Sequence, residues 1–262
     1  MVTYKKFNAI VDAVCYWLGY QFKIGRENLI HEASLRYPIA DTITAGGTAI
    51  NRIVLEKLHP VFKRKRIDLV IFDENIIDPE AEKDDVNLKE VYEFKFTKRE
   101  TSKEYGLEHQ RVFDDIVRLA YYHLWSNKDC YFLICGKYDE FKNFFVSQTN
   151  ASQKVKKKNI VTPRRQNNIK TDSSEEWQTE GLYKNWFGFK IGEEKEIEFK
   201  VTDHKSWGLK SFKKNYQTTK RKYKLSDSIK VKTKCLAITP YGLENVRTHA
   251  ACIWKIEALL TE

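Results

Sequence analysis

Arg66-Ile67-Asp68-Leu69-Val70-Ile71-Phe72 decides the reading of this chain, together with Leu88-Lys89-Glu90-Val91-Tyr92-Glu93-Phe94-Lys95-Phe96-Thr97. The first stretch is short and rich in β-branched side chains, which predicts a buried strand. Asp68 interrupts it. A carboxylate buried there without a partner is costly, so Asp68 is expected at an opening or beside a cation. In the second stretch the two-residue strand period puts Tyr92, Phe94 and Phe96 on one face and Glu93 and Lys95 on the other. That reads as a strand with one core face and one face that presents charge.

Outward from these strands the chain alternates helix and strand. Residues 4–20 carry Phe7, Ile10, Val11, Val14 and Leu18 at helical spacing. Asn8 and Asp12 interrupt this segment, so it reads as an amphipathic helix and not as a signal peptide. A second helix is predicted over 27–37, with Pro38 ending or kinking it. Residues 51–58 favour a strand, 73–87 an acidic turn region, 107–125 a helix, 130–135 a strand and 138–146 a short helix. The expected result is an α/β core over 1–150 with a mostly hairpin-connected sheet. Residues 151–175 read as a basic linker or mobile loop. Over 176–262 a basic, β-rich C-terminal region is predicted, with strands at 196–202, 228–239 and 250–259. It is either a small domain or an extension of the first sheet.

Composition narrows the partners. The 262 residues are 42% hydrophobic, enough for a sizeable core. No run of about 18 apolar residues occurs, so no membrane span is expected. The five cysteines are odd in number and lack paired metal-ligand spacing, which points to a reducing compartment without a disulfide framework or zinc ribbon. The net charge of +10 is uneven: residues 1–150 hold 22 basic and 23 acidic side chains, and residues 151–262 hold 24 and 13. All of the positive excess therefore lies in the C-terminal part, which points to a polyanion, most often nucleic acid.

Two carboxylates on neighbouring strands, Asp68 and Glu93, suit a hard cation such as Mg²⁺, with Mn²⁺ as a substitute. Such a metal polarises a phosphodiester and activates water. The Lys95 ammonium beside it would hold that water or stabilise charge developing on phosphorus. Glu32, flanked by Leu29 and Leu35, is placed at the margin of an apolar helix face. It would ligate a second metal or orient a metal-bound water. Glu27 competes for this role but sits nearer the helix start, where an acid is an ordinary dipole partner.

A helix with Glu32, a strand with Asp68, a strand with Glu93-Phe94-Lys95, then a helix and a strand together resemble the PD-(D/E)XK nuclease superfamily over about residues 20–136. The resemblance implies a restriction-endonuclease-like mixed sheet flanked by helices. It also implies Mg²⁺ held by Asp68, Glu93 and the backbone carbonyl of Phe94, with Lys95 assisting the water and Glu32 as the helical acid. Two departures stand out: Ile67 replaces the usual Pro before Asp68, and an acidic insertion over 73–87 lengthens the spacing to Glu93.

Phosphate contacts are expected from Lys63, Arg64, Lys65 and Arg66, which lead into the Asp68 strand. Lys220, Arg221, Lys222 and Lys224 lie in a basic stretch over 205–234 interleaved with aromatics. Gln110 and Arg111 are candidate contacts on the following helix, although a solvated face with pairs such as Asp114–Arg118 is the favoured reading there. The six histidines form no catalytic grouping, and no phosphate-cradling loop is present. The expected function is Mg²⁺-dependent hydrolysis of nucleic acid, DNA before RNA, in restriction or anti-phage defence. It would take place in the cytoplasm or at the nucleoid, with a homodimer or a protein partner left open. A structure-selective repair or recombination nuclease and an inactive nucleic-acid-binding subunit are the alternatives.

Overall fold

A computed structural model describes residues 2–60, 62, 65–73, 87–97, 104–138, 186–200, 228–239 and 249–259. Helix α1 spans Val2–Lys23 and buries Phe7, Ile10, Val11, Val14 and Leu18, the side chains its periodicity selects. Gly25 follows in the left-handed region at φ +75°, which closes the helix without a Cβ clash.

Helix α2 is Arg36–Ala45. The expected helix over 27–37 is instead two single 3₁₀ turns, Glu27–Leu29 and Glu32–Leu35. Pro38 does not end a helix. It sits in the first turn of α2, where an N–H has no intrahelical acceptor to lose.

Strands β1 (Ile53–Leu58), β2 (Arg66–Phe72) and β3 (Leu88–Thr97) follow, then α3 (Glu104–Ser126) and β4 (Asp129–Lys137). Asn127 takes the left-handed position after α3 at φ 52°, and its N–H bonds the His123 carbonyl at 2.7 Å. Strands β5 (Glu194–Lys200), β6 (Ser228–Ile238) and β7 (His249–Leu259) complete the described chain. The short helix expected over 138–146 and the segment 151–175 fall outside the described residues, apart from Tyr138.

All seven strands form one sheet in the order β1-β2-β3-β4-β7-β6-β5. The sheet is mixed and mostly hairpin-connected, as expected: four of its six neighbouring pairs join consecutive antiparallel strands, while β3 and β4 run parallel, with α3 as the crossover a parallel pair needs. Strand β7 sits between β4 and β6, so the last strand of the described chain is interior to the sheet.

Both faces of the sheet are covered. Val112, Ile116, Leu119 and Ala120 of α3 pack with Val70, Val91, Phe132 and Trp254 on one face. Helices α1 and α2 pack on the other face against Leu69, Ile71, Tyr92, Phe94, Leu133 and Ile253. Among the described residues no helix is long and apolar enough to cross a membrane. The five cysteines are buried without disulfides, as small apolar residues.

Candidate active site

The pairing of β2 with β3 runs Leu69↔Tyr92 and Val70↔Val91, which brings Asp68 beside Glu93. Asp68 Oδ2 accepts the Phe94 N–H at 2.8 Å, so a side chain replaces a rung of the ladder at this point. The Asp68 charge acts directly on the Glu93 carboxyl beside it. Lys95 lies one strand period further along the same face.

That face does not present charge to solvent. Asp68, Glu93 and Lys95 are 6%, 3% and 5% exposed, because α3 lies across them. Buried charge demands partners. Helix α3 supplies Asp115, itself 4% exposed, and Arg118. One Arg118 nitrogen donates to Glu93 Oε1 at 3.1 Å and also to Asp115 Oδ1. The Lys95 ammonium sits 2.8 Å from Asp115 Oδ2 and 2.8 Å from Glu32 Oε2.

Glu32 therefore reaches the cluster, but from a 3₁₀ turn and not from an amphipathic helix. Leu29, expected on its apolar face, is 71% exposed, whereas Leu35 is buried. Glu27 lies away from the cluster, with Lys137 at 4.0 Å. The favoured reading of α3 as a solvated ladder is also corrected. Arg118 pairs with Asp115 at i,i+3 inside the protein, since Asp115 shares the helix face of Val112, Ile116 and Leu119.

Two further residues complete the site. Arg36, the first residue of α2, donates to Asp68 Oδ1 from Nε at 3.2 Å and from Nη2 at 2.6 Å. Its remaining terminal nitrogen pairs with Glu56. Glu56 lies on β1 with φ 56°, a left-handed conformation that costs a non-glycine residue about 1–3 kcal/mol. It falls between the pairs Leu55↔Leu69 and Lys57↔Ile67, so the backbone leaves the ladder directly across from Asp68. The Arg66 guanidinium holds the Glu56 carbonyl at 2.8 Å. Asp68 is thus satisfied by Arg36 and the Phe94 amide.

Five carboxyl groups (Glu32, Asp68, Glu93, Asp114, Asp115) meet three cations (Arg36, Lys95, Arg118) in this cluster. The excess shows in their proton affinities. Burial, followed by the charges of Asp68 and Asp115, pushes the Glu93 carboxyl well above the ordinary range against the pull of Arg118. Glu32 is raised chiefly by burial, and burial with the neighbouring Asp115 lifts Asp114 to about 7. Burial disfavours the Lys95 charge, but Asp115 and Glu32 outweigh it and raise its pKa. Lys95 is therefore a fixed ammonium at neutral pH. Asp114 Oδ1 is a buried atom without a hydrogen-bond partner. Below the cluster, burial and the Arg118 charge lower His59 to about 3. The neutral ring accepts the Phe62 N–H at Nδ1 and faces the Arg118 carbonyl with Nε2 at 3.3 Å.

Of the residues expected from sequence, Glu32, Asp68, Glu93 and Lys95 come together. Phe94 lies between the last two, its ring in the opposite core. Lys65 and Arg66 are exposed at the start of β2, and the Lys65 charge acts on Asp114. Arg111 is exposed on α3, and Gln110 lies on the same helix. Lys63, Arg64, Lys220, Arg221, Lys222 and Lys224 fall outside the described residues. Lys232 and Lys234, from the same basic stretch, are paired to Glu194 and Glu257 on the sheet face away from Val231 and Cys235. Arg36, Glu56, Asp115 and Arg118 were not foreseen. For Asp115 a signal existed, its place on the apolar stripe of α3.

The donor chemistry of Asp68 and Glu93 fits a hard divalent cation, because such an ion offsets the burial and the neighbouring negative charge that disfavour an ionised Glu93. Among the described residues no three Asp, Glu, His or Cys side chains gather into a metal-holding group. Arg36, Lys95 and Arg118 stand between the carboxylates. The chain matches no family model, no curated protein and no solved structure.

Proposed function

We propose that this protein hydrolyses phosphodiester bonds of nucleic acid, DNA before RNA, with Mg²⁺ or Mn²⁺, by the chemistry of PD-(D/E)XK nucleases. One observation carries the reading. Asp68 and Glu93 lie side by side on adjacent strands, with Lys95 one strand period beyond on the same face. This is the order of residues on which the family resemblance rests.

Asp68 and Glu93 would hold the divalent cation, which supplies a polarised phosphoryl group and a more acidic water. The Phe94 amide fixes Asp68, and Arg118 fixes Glu93. Lys95, clamped by Glu32 and Asp115, keeps its proton. Its role is to hydrogen-bond an attacking water or a non-bridging phosphate oxygen, not to act as a base. Glu32 is better placed to orient Lys95 than to bind a second metal, since its carboxylate already bonds the ammonium. The net positive charge of residues 151–262 would supply backbone affinity for the nucleic acid. Restriction or anti-phage defence in the cytoplasm is the setting that the resemblance implies.

The test is cleavage of plasmid and single-stranded DNA with Mg²⁺, Mn²⁺ or EDTA, wild type beside Glu93→Ala. The expected outcome is metal-dependent cutting that falls by at least about 10³-fold in the variant, because an electrostatic anchor of the transition state is lost. Salt-sensitive binding without cutting in the wild type would instead identify a binding subunit built on the same core.

A further inference from the structure

We infer that Arg36 is a built-in counter-cation of Asp68 that competes with the divalent cation, so that Arg36 sets the metal affinity of the site. The inference rests on the metal-dependent reading above. A carboxylate offers about four acceptor positions. Arg36 takes two on Oδ1, through Nε and Nη2, and the Phe94 amide takes one on Oδ2. The last position faces the Glu93 carboxyl on the adjacent strand. The Phe94 donor belongs to the strand backbone and cannot leave without breaking β3. The guanidinium hangs on a side chain and can. A cation that binds Asp68 through Oδ1 therefore displaces Arg36, and one that binds through Oδ2 is repelled by the guanidinium charge beside it.

The displaced guanidinium has a second seat. Glu56 already pairs with it, and Glu56 is 46% exposed at its side chain, outside the buried cluster. The left-handed backbone of Glu56 and the Arg66 contact to its carbonyl hold that carboxylate beside Arg36. Arg36 is thus tethered between two carboxylates, one inside the site and one at its rim. Occupancy of the inner seat lowers apparent metal affinity by the fraction of time that Asp68 is taken. Guanidinium–carboxylate bonds of this charge-assisted kind make that fraction large.

The experiment is calorimetric titration of the full chain with MnCl₂, for wild type, Arg36→Gln, Glu56→Gln, Lys65→Gln and Asp68→Asn. Competition predicts that R36Q binds Mn²⁺ at least about tenfold tighter than wild type. It predicts that E56Q, with Arg36 left wholly to Asp68, binds about fivefold weaker. K65Q, which removes an equal charge nearby without touching Asp68, Arg36 or Glu56, should change affinity less than about threefold. Equal tightening by R36Q and K65Q would reduce the effect to bulk charge and overturn the inference. So would R36Q and E56Q both binding as wild type does, with binding lost in D68N; the metal site itself would then stand. Binding that survives in D68N, or no binding in any variant, would overturn the metal reading with it. E56Q alters an exposed side chain and decides the question if R36Q does not fold.

Discussion

Glu93-Phe94-Lys95 on β3 and Lys255-Ile256-Glu257 on β7 are mirror images in sequence, and the sheet treats them in opposite ways. Both strands are interior, and both middle residues are buried. Helix α3 closes over Glu93 and Lys95, whereas the side chains of Lys255 and Glu257 keep 28% and 25% of their exposure. Burial opposes the Glu257 charge, yet Lys255 at 2.8 Å and Lys232 at 3.2 Å prevail and its pKa is lowered. For Glu93 burial prevails and the pKa is raised. Identical functional groups thus give a solvated ladder in one place and a buried, densely paired charge cluster in the other. What differs is the element lying across them.

That contrast is open to direct attack. Arg118→Ala would leave Glu93 and Asp115 buried without their shared cation, so urea unfolding should show a loss of about 3–5 kcal/mol. A loss as small as that of a surface pair would dissolve the distinction. Next in size is a pH effect at His59. Its folded pKa of about 3 lies below the ordinary 6.5, so the unfolded chain binds the proton first and stability falls as pH drops from 6.5 toward 3. Between pH 6.5 and about 4.5 this amounts to about 2–3 kcal/mol, and His59→Gln should flatten that part of the stability profile. The smallest effect belongs to the exposed ladder. Lys255→Ala should cost less than about 1 kcal/mol, and added salt should shrink it further.

Much of the fold was legible along the chain. The strands at Arg66–Phe72 and Leu88–Thr97 were readable because β-branched runs and a two-residue alternation leave few other ways to bury these side chains. The core stripe of α1 was readable for the same reason. Residues 27–37 misled because helical spacing of Leu29, Glu32 and Leu35 does not reveal where the chain turns, and the real helix starts with a proline in its first turn. The hairpin-connected character of the sheet was legible too, but not the junction of β4 with β7, because those partners lie far apart in the chain. Nothing local to β7 says that it inserts between β4 and β6.

The site divides along the same line. By itself the sequence determined that Asp68 interrupts an apolar strand, that Glu93 and Lys95 share a face, and that positive charge accumulates beyond residue 150, because these follow from backbone periodicity and composition. Only the tertiary structure decided that the face is covered and that Asp115 and Arg118 are the partners of the strand charges. It alone seats Arg36 on Asp68 across from the left-handed turn at Glu56. The physical reason is that a buried charge is defined by its neighbours in space. Arg36 and Asp68 are separated by 32 positions in the chain, and Arg118 and Glu93 by 25. No local pattern carries information about which cation a carboxylate will meet once water has been removed from between them.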